Sequence, residues 1–328
     1  MRKLFGSILV VLLFATVASA QDITSEKIQD DVLVVMGAGG NITAINTSDG
    51  LLVVDTFLSP STARKARAEI EKAFPGVPVR YVINTHYHWD HTFGNQEFKD
   101  ALIIAHINNS DRVRTRYSER AAEYAGSAQK ISDLEKHLAE HAGKDPEKAE
   151  EVKKELERWR GIRENYGEFE LVPAPFSLDG GARIEHGGKT FYIYHFGAGH
   201  TDGDVVVFSK EDRVLVMGDL LLHHSLPFID YRAGADVPNW IATLSKLIAK
   251  ADTYETVVPG HGAVGTVQAL RDKKGYLQDL WDAVKNAREK GLTLDQAKEQ
   301  ITLEKYKDYG WRQQLPANIE ACWNMMEK

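Results

Sequence analysis

The sequence predicts an α/β fold in which two β-sheets pack together with helices outside. Three observations lead there. The chain has 328 residues, 43% hydrophobic and 27% charged, enough to bury a sizeable core as one large domain. Both halves run in the same order, short β-rich runs first and helices after, which two packed sheets with outer helices satisfy. Four separated segments rich in His and Asp each fall where a strand gives way to a loop, so one sheet edge can gather them.

The first twenty residues stand apart from this domain. Arg2 and Lys3 form a basic start, Ile8 to Val17 is almost wholly apolar, and Ala18-Ser19-Ala20 is a small-residue cleavage site. This pattern reads as a secretory signal peptide, too short to span a bilayer, and places the mature protein in the periplasm or outside the cell. Gln21 rather than Cys follows the cut, so no lipid anchor is expected there. No later stretch is long and apolar enough to cross a membrane. The net charge is −7, and removal of Arg2 and Lys3 makes it more negative. An acidic exported chain lacks the basic footprint that nucleic acid requires. The single Cys322 excludes an internal disulfide, which leaves the core and any bound metal to stabilise the fold.

The domain itself occupies residues 21–328. Val32 to Met36, Ile42 to Asn46 and Leu51 to Asp55 are strands, the last two joined through the hairpin signal Asp49-Gly50. Asp55 ends its strand at the edge where the His cluster should lie, either as partner to a ligand imidazole or as cap of the following turn. Ser59-Pro60 opens a helix to about Phe74. Val79 to Ile83 and Ala101 to Ala105 are the next strands. From 109 to 166 the chain is densely charged and helical, an insertion. Ser132 to Glu135 forms a capping box, Asp145-Pro146 starts a second helix, and Val152, Leu156, Trp159 and Ile162 give that helix an apolar stripe. It reads as a helical hairpin packed on the main body, with a lid or dimer arm as the alternative. Strands resume at Arg183 to Glu185, Thr190 to His195, Asp204 to Phe208 and Val214 to Met217. Val237 to Ala249 is helical, and further helices fill 265–328, among them Val267 to Lys290 and Leu294 to Ile301, the latter behind the box Thr293 to Gln296.

The chemistry concentrates in Asn84-Thr85-His86-Tyr87-His88-Trp89-Asp90-His91. Three imidazoles and a carboxylate this close cannot share one face of a strand or helix, so the chain must turn tightly to make them converge. Unpaired, such groups are costly to desolvate; together they suit borderline metals, zinc above all. His200 follows in the Gly-rich run Gly197-Ala198-Gly199, Asp219 just after a strand, and His261 within Pro259-Gly260-His261-Gly262. Flanking glycines permit the tight turns that aim strand-end side chains at one point. Four segments thus supply five imidazoles and two carboxylates, enough for two metals.

The pattern His86-x-His88-x-Asp90-His91, then His200, Asp219 and His261, resembles the metallo-β-lactamase superfamily over about residues 30 to 265, with 109–166 as an insertion. The resemblance implies an αββα sandwich with the site at one edge and two zinc ions per chain. By that match His86, His88 and His200 hold one metal, Asp90, His91 and His261 hold the other, and Asp219 bridges. His88 stands where flavodiiron proteins of this fold carry Glu, which argues against di-iron redox chemistry. Asp219 stands where metallo-β-lactamases of the main subclasses put Cys or Ser; Asp there resembles glyoxalase II, lactonases and other hydrolases.

The resemblance and the ligand set together imply a hydrolase using a metal-bridging hydroxide to cleave an ester, lactone, thioester or lactam of a small molecule, with Asp90 as the catalytic carboxylate. The alternatives are a β-lactamase, a mononuclear-iron persulfide dioxygenase, and a non-catalytic binding protein stabilised by metal. Oligomeric state has no signature in the sequence. Among the remaining residues, His137, His141 and His186 read as surface positions, and His106 and His195 as core or edge. The loop from His223 and His224 to Tyr231 either lines the pocket or is structural. Trp89 and Phe93 either wall the pocket or pack, and Tyr231 is a candidate oxyanion donor.

Overall fold

The computed structural model describes residues 23–37, 39–167 and 169–327. The signal-peptide reading at 1–20 lies outside them. Seven strands, β1 (Thr24–Gln29), β2 (Val32–Gly37), β3 (Gly40–Thr47), β4 (Gly50–Val54), β5 (Val79–Asn84), β6 (Leu102–His106) and β7 (Phe176–Leu178), form one sheet in sequential order. Five more, β8 (Ala182–His186), β9 (Lys189–Tyr194), β10 (Val206–Ser209), β11 (Val214–Val216) and β12 (Thr256–Val258), form the second in the order β12-β11-β10-β9-β8. Each sheet is antiparallel at first and parallel later: β4 to β7 in one, β11 with β12 in the other.

The helices are α1 (Pro60–Ala73), the one-turn α2 (Trp89–Thr92), α3 (Ile107–Ala125), α4 (Ser127–His141), α5 (Pro146–Tyr166), α6 (Val237–Ile248), α7 (Val267–Glu289), α8 (Leu294–Gln300) and α9 (Leu315–Met325). Strand alternation sorts the core into layers. Val32, Val34, Leu52, Val54 and Ile83 meet Phe191, Ile193, Val207 and Val216 between the sheets. Their neighbours Leu33, Val35 and Val53 turn outward onto Ala63, Ala66 and Ile70 of α1. Val206 and Leu215 turn outward onto Trp240 and Leu244 of α6 and Leu277 and Leu280 of α7. Strands apolar on both faces read as continuous Val/Ile/Leu runs, which is why they were legible. The result is the expected αββα sandwich.

The insertion differs in detail from the sequence reading. It has three helices rather than two, and Ser132 sits inside α4, which begins at Ser127. The box pattern there is overridden because residues 127–131 already propagate the helix from Gly126. Asp145 does cap α5, accepting from the Lys148 amide at 3.0 Å. Leu134, Val152, Leu156 and Trp159 give α4 and α5 a small core of their own. Separately, Val113 and Tyr117 of α3, with Tyr166 and Phe169, cover Tyr87 and Phe93 of the His-rich loop. Two short edge strands, β1 and β7, were not expected. No helix among the described residues is long and apolar enough to cross a membrane.

Candidate metal centre

The parallel pairs β4–β5 and β11–β12 set four strand ends on one edge, and every predicted ligand is on a turn leaving it. His86 and His88 follow β5, and Asp90 and His91 lie on α2. His200 is in the loop between β9 and β10, Asp219 follows β11, and His261 follows β12. Glycine is essential where these turns meet. A Cβ on Gly260 would stand 2.1 Å from Asp219 Oδ1, and Gly218 has φ +51°.

The side chains sort into two sets, His86, His88, His200 and Asp219, and Asp90, His91 and His261. In the first, His88 Nδ1 is 3.0 Å from Nε2 of both His86 and His200. Asp219 Oδ2 is 3.7 and 3.6 Å from those same Nε2 atoms. In the second, the Nε2 atoms of His91 and His261 are 3.3 Å apart, and Asp90 Oδ2 is 3.7 and 3.3 Å from them. The other oxygen of Asp219, Oδ1, is 3.3 Å from both. Tetrahedral ligands at zinc bond lengths stand about 3.3 Å apart. Both sets have that spacing, with three nitrogens and an oxygen in one and two of each in the other. Asp219 Oδ1 is buried and accepts no hydrogen bond, a cost that a cation between it and the histidines removes. These residues fit two divalent ions.

Electrostatics point the same way. Burial, with the neighbouring His91, holds His86 well below the ordinary histidine range, and burial beside His88 brings His200 down to about 4. Both are therefore neutral lone-pair donors at pH 7. Burial alone would raise Asp219, but His261, His91 and His86 outweigh it and keep the carboxylate well below its usual range. Asp219 and Asp90 overcome burial at His261 and push it up to about 9. The site is built around negative charge that attracts cations.

Behind the ligands, two carboxylates fix ring orientation. Asp55, at φ +63°, accepts from His91 Nδ1 at 2.8 Å, from the Thr85 amide at 2.8 Å and from Thr85 Oγ1 at 2.8 Å. Of its two sequence readings, partner to an imidazole is the one observed. Asp230 accepts from His88 Nε2 at 3.0 Å and also from Tyr87, whose hydroxyl contacts Arg116 of α3. Asp204 pins the His200 loop, accepting from the Thr201 amide and, at 2.6 Å, from Thr201 Oγ1. Burial pushes its carboxyl up to about 7.

Other expectations resolve differently. Tyr231 donates its hydroxyl to the Asn324 carbonyl at 3.4 Å and packs with the α6–α7 cluster. Phe93 is buried in the aromatic cluster under α3 with Trp89 at its edge, so both pack. His223 bonds the Ala263 carbonyl at 2.7 Å through Nδ1. His106 stacks on His195 with centroids 4.0 Å apart. His137 and His141, on one face of α4 with Glu140, are half-buried, their rings 4.5 Å apart. Sequence reasoning missed Asp230, 142 residues from His88 and without any spacing signal.

A sandwich of this topology with histidine and aspartate turns on one edge defines a metal-binding class, and residues 36–261 match the Metallo-beta-lactamase superfamily. The chain belongs to that superfamily. It is similar to the 2,4-dinitroanisole O-demethylase subunit alpha of Nocardioides sp. (strain JS1661), 36% identical over 98 residues, 29% of this chain and 30% of the relative. It is also similar to a Metallo-beta-lactamase type 2 of Bacillus cereus, 23% identical over 221 residues, 67% of this chain and 66% of that one. In structure it is similar to a stereoselective inverting sec-alkylsulfatase from Pseudomonas sp., with TM-score 0.65 at 15% identity over 92% of this chain and 50% of the sulfatase. The chain thus spans less than two thirds of each relative's length, and the structural likeness speaks for the fold alone.

Proposed function

We propose that this chain is a dinuclear zinc hydrolase that cleaves an acyl bond of a small molecule, an ester, lactone, thioester or lactam, after export to the periplasm or beyond. The observation that carries the reading is the division of the Asp219 carboxylate between two ligand sets, Oδ2 to His86 and His200, Oδ1 to His91 and His261. Two divalent ions held there would lower the pKa of a shared water and polarise an acyl oxygen.

The chain's own residues supply the rest. Asp219 fixes the separation of the two sets, while Asp55 and Asp230 hold His91 and His88 in one tautomer and one orientation. Asp90 is the ligand carboxylate with most solvent access. Its role in this reading would be to take a proton from water and pass it to the leaving group, supported by its 3.3 Å approach to His261 Nε2. Burial of His86, His91 and His200 excludes bulk water from behind the ligands, which strengthens these charges.

A β-lactamase is the second reading, supported by the Bacillus cereus relative covering 67% of this chain. The carboxylate at 219 favours esters and lactones instead. Metal analysis of the purified protein, with assays on an aryl ester, an acyl lactone, a thioester, a cephalosporin and an alkyl sulfate, tests both. About two zinc equivalents and chelator-sensitive ester or lactone turnover are expected. Stoichiometric iron, or no turnover on any substrate, would overturn the proposal; a preference for the cephalosporin would select the second reading.

A further inference from the structure

We propose that Phe228 and Trp311 are the two walls of an apolar binding site at the mouth of the metal cluster. Its ligand is an acyl compound carrying a medium-length alkyl chain or a ring beside the scissile bond. The substrate class rests on the hydrolase reading; the binding site itself does not.

Large exposed hydrophobic side chains among the described residues are few, namely Leu102, Ile107, Phe176, Phe228 and Trp311. Two of them touch ligand rings. The Phe228 ring lies 5.8 Å from that of His88 and 6.4 Å from that of His200, and Trp311 lies 5.0 Å from His261. The cluster itself shows where its opening is. His86, His91 and His200 retain 1%, 0% and 0% side-chain exposure, whereas His88, His261 and Asp90 retain 11%, 11% and 19%. The two aromatics stand beside two of the three residues that face out, Phe228 on the first ligand set and Trp311 on the second. Each is itself 39% exposed, apolar surface left facing water.

Both side chains are held in place. The Leu226 amide donates to the Gly310 carbonyl at 2.9 Å, and the Gly310 amide to the His224 carbonyl at 2.8 Å, so the two segments are paired beside the cluster. Asn318 of α9 donates to the Pro227 carbonyl at 2.9 Å, anchoring the residue before Phe228. Trp311 adopts φ +58°, which bulky residues rarely accept without surrounding structure to enforce it. It also lies beyond the stretch 36–261 that matches the superfamily. A rigid pair of aromatic faces on either side of a polar centre selects a ligand with a polar head and an apolar flank.

The test uses the zinc-loaded protein with octanoate and acetate as probes, measured by calorimetry. Octanoate should bind at least about tenfold more tightly than acetate, from burial of its methylenes. In Phe228→Ala and Trp311→Ala the ratio should fall to about threefold or less, with zinc content unchanged. Phe228→Leu and Trp311→Leu should retain part of it, and they carry the comparison if an alanine variant loses zinc. Turnover of p-nitrophenyl octanoate should drop about tenfold in the alanine variants, a larger loss than that of the acetate ester. Variants that keep the full octanoate-to-acetate ratio would overturn the site, whatever their oligomeric state. If octanoate selectivity depends on both aromatics while no ester is turned over, the binding site stands and the hydrolase reading falls.

Discussion

Asp230 Oδ2 lies 3.0 Å from Nε2 of His88, and that bond decides which ring nitrogen His88 turns to the cluster. His86, His200, His91 and His261 all present Nε2; His88 alone presents Nδ1. Asp230 is kept ionised against its burial by the bonds from His88 and Tyr87, which hold it below the usual carboxylate range. Replacing it with asparagine preserves shape and removes the charge. Asp230→Asn should weaken zinc at the His86 set by about tenfold to a hundredfold, read by competition with a chromophoric chelator. Unchanged affinity would mean another group sets the ring.

Asp219 is the one side chain shared between the two ligand sets, so its loss should differ in kind from loss of any histidine. Asp219→Ser should take zinc below about one equivalent and cut turnover more than about a hundredfold, beyond the usual effect of residues behind the ligands. His261→Ala removes a donor from the second set only and should keep about one equivalent. Metal analysis of the pair checks the bridge. A serine variant that retains both metals would remove it.

Much of this centre could be read from the sequence because its elements are local. His86 to His91 lie within one turn after a strand, and that strand is apolar on both faces, so it stands out as Val82-Ile83. Asp230 and Trp311 could not be read that way, since they reach the site from distant loops and neither has a spacing that ties it to a ligand. β1, TSEKIQ, escaped notice because it is an exposed edge strand with no apolar alternation. Within 109–166 the helical character was plain, but the helix starts were not. Gly126 rather than Ser132 marks the break, and a charged helix offers few competing signals.

Gly260 has no room for a methyl group. Its Cβ would lie 2.1 Å from Asp219 Oδ1 and 2.7 Å from the Gly218 carbonyl carbon. The loop cannot retreat, because the Gly260 amide bonds the Gly218 carbonyl at 2.8 Å and the Asn41 amide bonds the Gly260 carbonyl at 2.8 Å. Gly260→Ala should cost about 1–3 kcal/mol in unfolding free energy and displace Asp219, with loss of metal.

Gly161 gives the opposite sign. It sits inside α5, and a methyl group added there would meet nothing within 4 Å, so only its backbone freedom matters. Gly161→Ala should stabilise the protein by about 0.5–1 kcal/mol without touching metal content or turnover. Denaturant midpoints of the two variants beside wild type measure both effects.

Lys273 on α7 is the buried cation of the second half, its Nζ bonded to the Ser225 carbonyl at 2.7 Å. Burial brings its pKa down to about 7 from 10.5, against a small opposing pull from Asp219. The folded state therefore binds fewer protons than the unfolded state between those two values. Stability from this group is lowest below pH 7 and rises as pH climbs toward 10.5. Lys273→Met removes that dependence. Stability of wild type relative to Lys273→Met should therefore increase by about 2 kcal/mol between about pH 7 and pH 9, other titrations cancelling in the difference. Urea unfolding of both proteins across that range reads it directly. A difference that stays flat would show that Lys273 keeps its proton in the folded state, with the Ser225 carbonyl sufficient to hold the charge.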